Sequence, residues 1–174
     1  MTKAEEQTET SVADRSIKAM LSGDIDLVQI EIPDLNGALR GKLVTASKVV
    51  GGSKSAICTV LYQMTPVDEV WESRHGAYEN GFPDMLAVPD LSTAVVLPWR
   101  QGQASVLYDV TYPDGQPFPL APRNVLRSIA ERFAETGYIP VFGIEYEAFV
   151  FHADRDLLQS DRHHDLVSLG RMSN

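Results

Sequence analysis

The stretch DLVQIEIPDLNGALRGKLV, residues 26–44, decides the fold. Leu27 opens a β-rich apolar run that Gln29 and Glu31 interrupt, and residues 38–44 form a second strand-like run. Between them Asp34, Asn36 and Gly37 supply turn chemistry. Two such runs around a short Gly-containing turn predict a β-hairpin.

Working outward from the hairpin, residues 11–22 place Val12, Ala13, Ile17, Met20 and Leu21 along one face of a short helix, with Gly23 as its terminator. Residues 1–10 read as a polar, frayed tail. Downstream, Thr45 or Ser47 caps a helical turn that runs to Val50 and ends at Gly51-Gly52. The run AICTVL, residues 56–61, predicts a buried strand. Residues 62–83 read as a long loop with a short helix near residues 68–74, and strands follow at 85–88, 94–97 and 104–110. One helix and about five strands predict a small α+β domain. The proline-rich joint at residues 112–119 is the expected domain boundary. After it, Pro122 opens a helix whose stripe is Val125, Leu126, Ile129, Ala130 and Phe133, and Gly137 closes it. Residues 139–151, IPVFGIEYEAFVF, predict a long strand, and from His152 onward no periodic pattern holds.

The composition, 44% hydrophobic and 22% charged over 174 residues, is that of an ordinary globular protein. A net charge of -9 without a basic stripe argues against nucleic-acid binding, which needs clustered Lys and Arg. No apolar run reaches the roughly 18 to 20 residues that span a membrane. The first ten residues lack the apolar stretch of a secretory signal, and the single cysteine, Cys58, fits a reducing compartment. A cytoplasmic chain is the expectation.

Glu145 and Glu147 lie two positions apart, so on a strand both carboxylates point to the same face. Phe149 and Phe151 share that face. Like charges this close and partly withdrawn from water repel, and a hard divalent cation such as Mg²⁺ or Mn²⁺ would relieve them. A solvated strand face is the plainer reading of the same pair, and spacing alone leaves both open. Elsewhere the signals are structural. His163 and His164 are adjacent in a polar tail, Cys58 reads as a small core residue, and Ser53 lacks a neighbouring base. The run GGSKS at residues 51–55 lacks the spacing of a phosphate loop.

Four segments together resemble glutamine synthetases and their γ-glutamyl-ligase relatives, including the γ-glutamylpolyamine-synthetase-like branch. They are DLNGALRGKLV (34–44), DMLAVPDLSTAVVLPW (84–99), APRNVLRSIAERFAETG (121–137) and FGIEYEAFVF (142–151). The resemblance implies an α+β chain: residues 1–19 as tail and helix start, 20–112 as a β-grasp domain, and 113–174 as the first helix and strand of a catalytic domain. It implies an ATP-dependent carboxylate–amine ligase that joins the side chain of glutamate to ammonia or another amine through γ-glutamyl phosphate. By the same resemblance Glu145 and Glu147 each serve a different divalent-metal site, with Mg²⁺ or Mn²⁺ as the ion and ATP as co-substrate. Its members assemble as homo-oligomers whose active sites lie between the β-grasp domain of one subunit and the catalytic domain of the next.

Two departures qualify that likeness. The Asp-Gly-Ser-Ser loop of ammonia-using enzymes is absent, and residues 62–68 read YQMTPVD instead, which favours larger amines. Ala148 stands where an aromatic residue or leucine is usual. The family's remaining metal, ATP and substrate ligands fall beyond position 174, so independent catalysis is not expected. The alternative is a non-catalytic β-grasp module that associates with a full-length ligase.

Overall fold

A computed structural model describes residues 11–67, 69–152, 154–160 and 162–169, with the backbone alone at residue 163. The chain divides into two compact units, Met1–Tyr138 and Ile139–Asn174.

In the first unit, helix α1 (Val12–Ser22) begins at Ser11, whose hydroxyl accepts from the Asp14 amide and thereby satisfies one open donor of the first turn. It ends at Gly23, which adopts φ 85°, a conformation that suits glycine. The helix buries Met20 and packs Ala13 and Ile17 on the core, while Val12 and Leu21 of the expected face stay exposed.

Strands β1 (Leu27–Pro33) and β2 (Leu39–Thr45) form the expected antiparallel hairpin, with Leu27 opposite Thr45 and Pro33 opposite Leu39. The short helix α2 (Ala46–Val50) follows directly and buries Ala46 and Val49. Strand β3 (Ser55–Cys58) is shorter than the apolar run suggests, because Thr59–Tyr62 turn into a 3-10 helix that buries Tyr62. Strand β4 (Asp84–Pro89) leads through a 3-10 turn, Leu91–Thr93, to the two-residue strand β5 (Val95–Val96). Strand β6 (Gln103–Thr111) is the spine: the sheet order is β2-β1-β6-β4-β3, with β5 also on β6. β1 runs parallel to β6, whereas β4 and β5 run antiparallel to it.

Alternation explains the core. Val28, Ile30 and Ile32 of β1 and Ala104, Val106, Tyr108 and Val110 of β6 are buried on one face, together with Met85 and Ala87 of β4. Each fully buried Val or Ile there contributes about 1.5–3 kcal/mol relative to exposure. Phe118 stacks on Tyr62 at 5.5 Å between ring centroids and closes one end of this core.

Helix α3 (Pro122–Glu135) forms as its apolar stripe and first-turn proline predict. Its Val125, Leu126, Ile129 and Phe133 remain exposed. The expected helix near residues 68–74 is absent among the described residues, Asp68 lying outside them. Instead a 3-10 turn stands at Tyr78–Asn80.

In the second unit the expected strand over residues 139–151 does not form. Residues 139–150 carry no strand, and Phe151 makes one isolated antiparallel bridge to Ser168. A strand is stabilised by a neighbour that takes up its backbone donors and acceptors. Among the described residues no strand pairs with this segment, and Ile144, Tyr146 and Phe149 stay exposed. A short helix, α4 (Arg155–Gln159), appears where no periodic pattern predicts one. Asp154 caps it by accepting from the amides of Asp156 and Leu157 at 3.1 and 3.0 Å.

Candidate functional site

Glu145 and Glu147 are both exposed, so the partial burial that made their pairing costly is not met. They lie in residues 139–150, which carry no strand, so no sheet positions them. No group of three or more His, Cys, Asp or Glu side chains gathers at a metal-binding distance among the described residues. A hard divalent cation takes about six oxygen ligands. Two solvated carboxylates do not fit that demand by themselves.

The longest loop of the first unit is organised around one side chain. Gln63 is 7% exposed, and its amide nitrogen donates to the carbonyls of Trp71 and Gly76 at 2.5 and 2.7 Å. The Trp71 amide returns a bond to the Gln63 carbonyl at 2.8 Å. Gln63 thus does for residues 63–76 what a strand partner does elsewhere. Gly76 leaves room for this: a Cβ there would lie 2.5 Å from both Gln63 Oε1 and Thr59 Oγ1, so those side chains would have to shift. Those two buried atoms have no hydrogen-bond partner among the described residues. Beside the loop lies a cavity of about 240 Å³ whose wall includes Tyr62, Gln63, Met64, Thr65 and Trp71. Four of these belong to the sequence YQMTPVD. His75 sits behind the loop, with Nδ1 2.9 Å from the Tyr112 hydroxyl and its ring edge-on to Phe118.

A second constellation joins strand to helix. Asp90 Oδ1 accepts from the Ser92 amide and hydroxyl at 3.2 and 2.6 Å, and Asp90 Oδ2 accepts from Arg123 Nη2 at 2.5 Å. The same guanidinium donates through Nε to Asp109 Oδ1 at 3.0 Å, and Arg127 donates to Asp109 Oδ2 at 2.9 Å. Burial alone would push the Asp90 carboxyl up, but the Ser92 hydroxyl and amide and the Arg123 guanidinium outweigh it and hold the group below its usual range. Thr93 Oγ1 donates to the Asp90 carbonyl and accepts from the Leu107 amide. Asn124 donates to the carbonyls of Val110 and Phe118. None of Asp109, Arg123 and Asn124 stands out in the sequence by spacing alone; the only signals are the Pro-Asp and Pro-Arg-Asn steps that open turn and helix.

No family model matches the chain. Among curated proteins it is 29% identical over 143 residues to a glutamate–isopropylamine ligase of Pseudomonas sp, covering 80% of this chain and 31% of that protein. It is 30% identical over 172 residues to type-1 glutamine synthetase 2 of Dictyostelium discoideum, covering 87% of this chain and 32% of the relative. Among solved structures, ligand-free GmaS superposes with a TM-score of 0.51 at 28% identity, over 73% of this chain and 27% of that one. The chain is similar, over most of its own length, to members of the glutamine synthetase superfamily.

The chain spans about a third of the length of the curated relatives it matches. The mixed sheet and its helices are the fold expected of the amino-terminal part of such ligases. Three of the four resembling segments have structural roles that the geometry makes explicit. Residues 34–44 make the hairpin turn and β2, residues 84–99 make β4, β5 and the Asp90 turn, and residues 121–137 make the clamped helix. No helix of the described residues is long and apolar enough to cross a membrane.

Proposed function

We propose that this chain supplies the β-grasp domain, residues 20–112, and the opening of the catalytic domain, residues 113–174, of an ATP-dependent ligase. That ligase joins the side-chain carboxylate of glutamate to an amine through γ-glutamyl phosphate. The observation that carries the reading is the alignment of most of this chain with a glutamate–isopropylamine ligase and with a glutamine synthetase. The acceptor we favour is an amine larger than ammonia. Two facts support it: four of the residues that replace the Asp-Gly-Ser-Ser loop line a cavity that also holds Leu35, Trp71 and Leu120, and a relative is named for isopropylamine.

In this reading Glu145 and Glu147 are metal ligands, with Mg²⁺ or Mn²⁺ as the ion and ATP as the phosphoryl donor. The pair does not complete a cation site, so no chemical step is assigned to these residues within the 174-residue chain. The assembly proposed is homo-oligomeric and the compartment cytoplasmic.

The test is a phosphate-release assay with ATP, glutamate, Mg²⁺ and a panel of amines. The chain alone is expected to be inactive, and turnover by it would overturn that expectation. Mixed with a full-length homologous ligase, the chain either changes the amine profile or does not. A change in rate without any dependence on the amine favours the alternative reading, a non-catalytic module that modulates a complete ligase.

A further inference from the structure

Residues 35–67 contain Arg40, Lys42, Lys48 and Lys54 and not a single Asp or Glu, in a chain of 24 acidic and 15 basic residues. This acid-free stretch builds β2, α2 and β3. β2 and β3 terminate the sheet at its two opposite ends, and among the described residues each pairs on one side only. Both nevertheless line one cavity of about 340 Å³, to which β2 gives Arg40 and Lys42, β3 gives Ser55 and Ile57, and the apolar lining includes Ile30 and Leu61. The sheet therefore curls until its two open edges face the same cleft.

We propose that this cleft accepts an extended, acidic polypeptide segment of another protein as an added strand. The open edges supply backbone donors and acceptors, which an extended chain satisfies without regard to sequence. The apolar part of the lining rewards burial of aliphatic side chains. The charge decides the sign of the guest. Lys42 is the cross-strand partner of Ile30, so it shares the core-facing side of β2. It makes no ion pair among the described residues, whereas Arg40 is held by Asp34 at 2.8 Å. A carboxylate on the guest answers Lys42, and a basic guest is repelled. A two-fold pairing of β2 with β2 of a second copy sets like charges face to face, which disfavours the same chain as occupant.

The proposal is independent of the ligase reading. The probe is a capped heptapeptide, Glu-Val-Glu-Val-Glu-Val-Glu, titrated into the isotope-labelled full chain, with the Lys-for-Glu peptide as control. Saturable shifts and slowed amide exchange are expected in residues 39–45 and 55–58 for the acidic peptide alone. Lys42→Glu is expected to weaken binding about tenfold, and Lys42→Ala less, with unchanged circular dichroism; tenfold corresponds to about 1.4 kcal/mol. No saturable response overturns the proposal, as does an equal response to the basic peptide. Slowing in β2 that rises with protein concentration and without peptide also overturns it, because a second copy then fills the cleft.

Discussion

A Cβ atom on Gly41 would stand 1.7 Å from the carbonyl oxygen of Ile30 on the paired strand. The obstacle is backbone, so no side-chain rotation relieves it. Gly41→Ala is expected to cost about 3 kcal/mol or more, because β1 and β2 must separate locally. Gly37, in the turn at φ 80° with open space around it, is the control. Gly37→Ala carries only the left-handed penalty of about 1–2 kcal/mol. Urea unfolding of the two variants measures the order, and equal losses would contradict the close approach at Gly41.

Asp34 is 3% exposed and ties the hairpin turn together. Its Oδ1 accepts from the amides of Asn36 and Ala38 at 2.9 and 2.8 Å, and its Oδ2 accepts from Arg40. Burial raises the carboxyl, but the Arg40 bond and the two amides win and hold it below its ordinary value. A depressed folded value means that the stabilisation is present above the unfolded pKa of about 3.9 and is lost as pH falls through the folded one. Asp34→Asn is therefore expected to cost about 1–3 kcal/mol at pH 7. Its deficit against the parent should shrink in urea titrations run toward pH 2.5. A deficit that stays constant across that range would rule out the charge as its cause.

Arg123 bridges Asp90 and Asp109, and so fastens α3 to the sheet at two points. Arg123→Ala should release the start of α3 at a cost of about 1–3 kcal/mol. Lysine should not rescue it, because one ammonium lacks the fork that spans two carboxylates. Hydrogen exchange reads this locally: amides of residues 125–135 should quicken while those of β6 hold. Uniform quickening would mean that the clamp supports the whole unit.

Residues 139–149 have no strand partner among the described residues, while Val150 and His152 exchange backbone bonds with Leu169 and Val167. Amide exchange across 139–149 should approach the rate of an unprotected chain. Protection there at the level of β1 or β6 would refute this description of the segment.

The hairpin is legible in residues 26–44 because its instructions are local: alternation, then Asp34 and Gly37 at the turn. The same holds for α3, whose stripe and first-turn proline need no distant partner to be read. The failures are non-local. AICTVL reads as one strand, but the pull of Tyr62 into the core beside Phe118 ends β3 at Cys58. Gln63 has no sequence signature as a hub, since its partners Trp71 and Gly76 are reached only through the loop's path. The run at 139–151 has strong β propensity, yet propensity is satisfied only when a ladder is at hand. For the candidate metal ligands, two positions in a sequence say nothing of the other oxygens a cation requires.

The parallel pairing of β1 with β6 has a consequence for how the chain is made. Leu27 has Gln103 as its partner, so the central ladder waits until most of the first unit has left the ribosome. The hairpin of β1 and β2 closes early, and one side of β1 stays open meanwhile. Long-range closure of this kind slows folding relative to local pairing. Synthesis rate and chaperone access thus bear on the yield of this protein through a single strand, β6, which arrives late and joins every part of the sheet except β2 and β3.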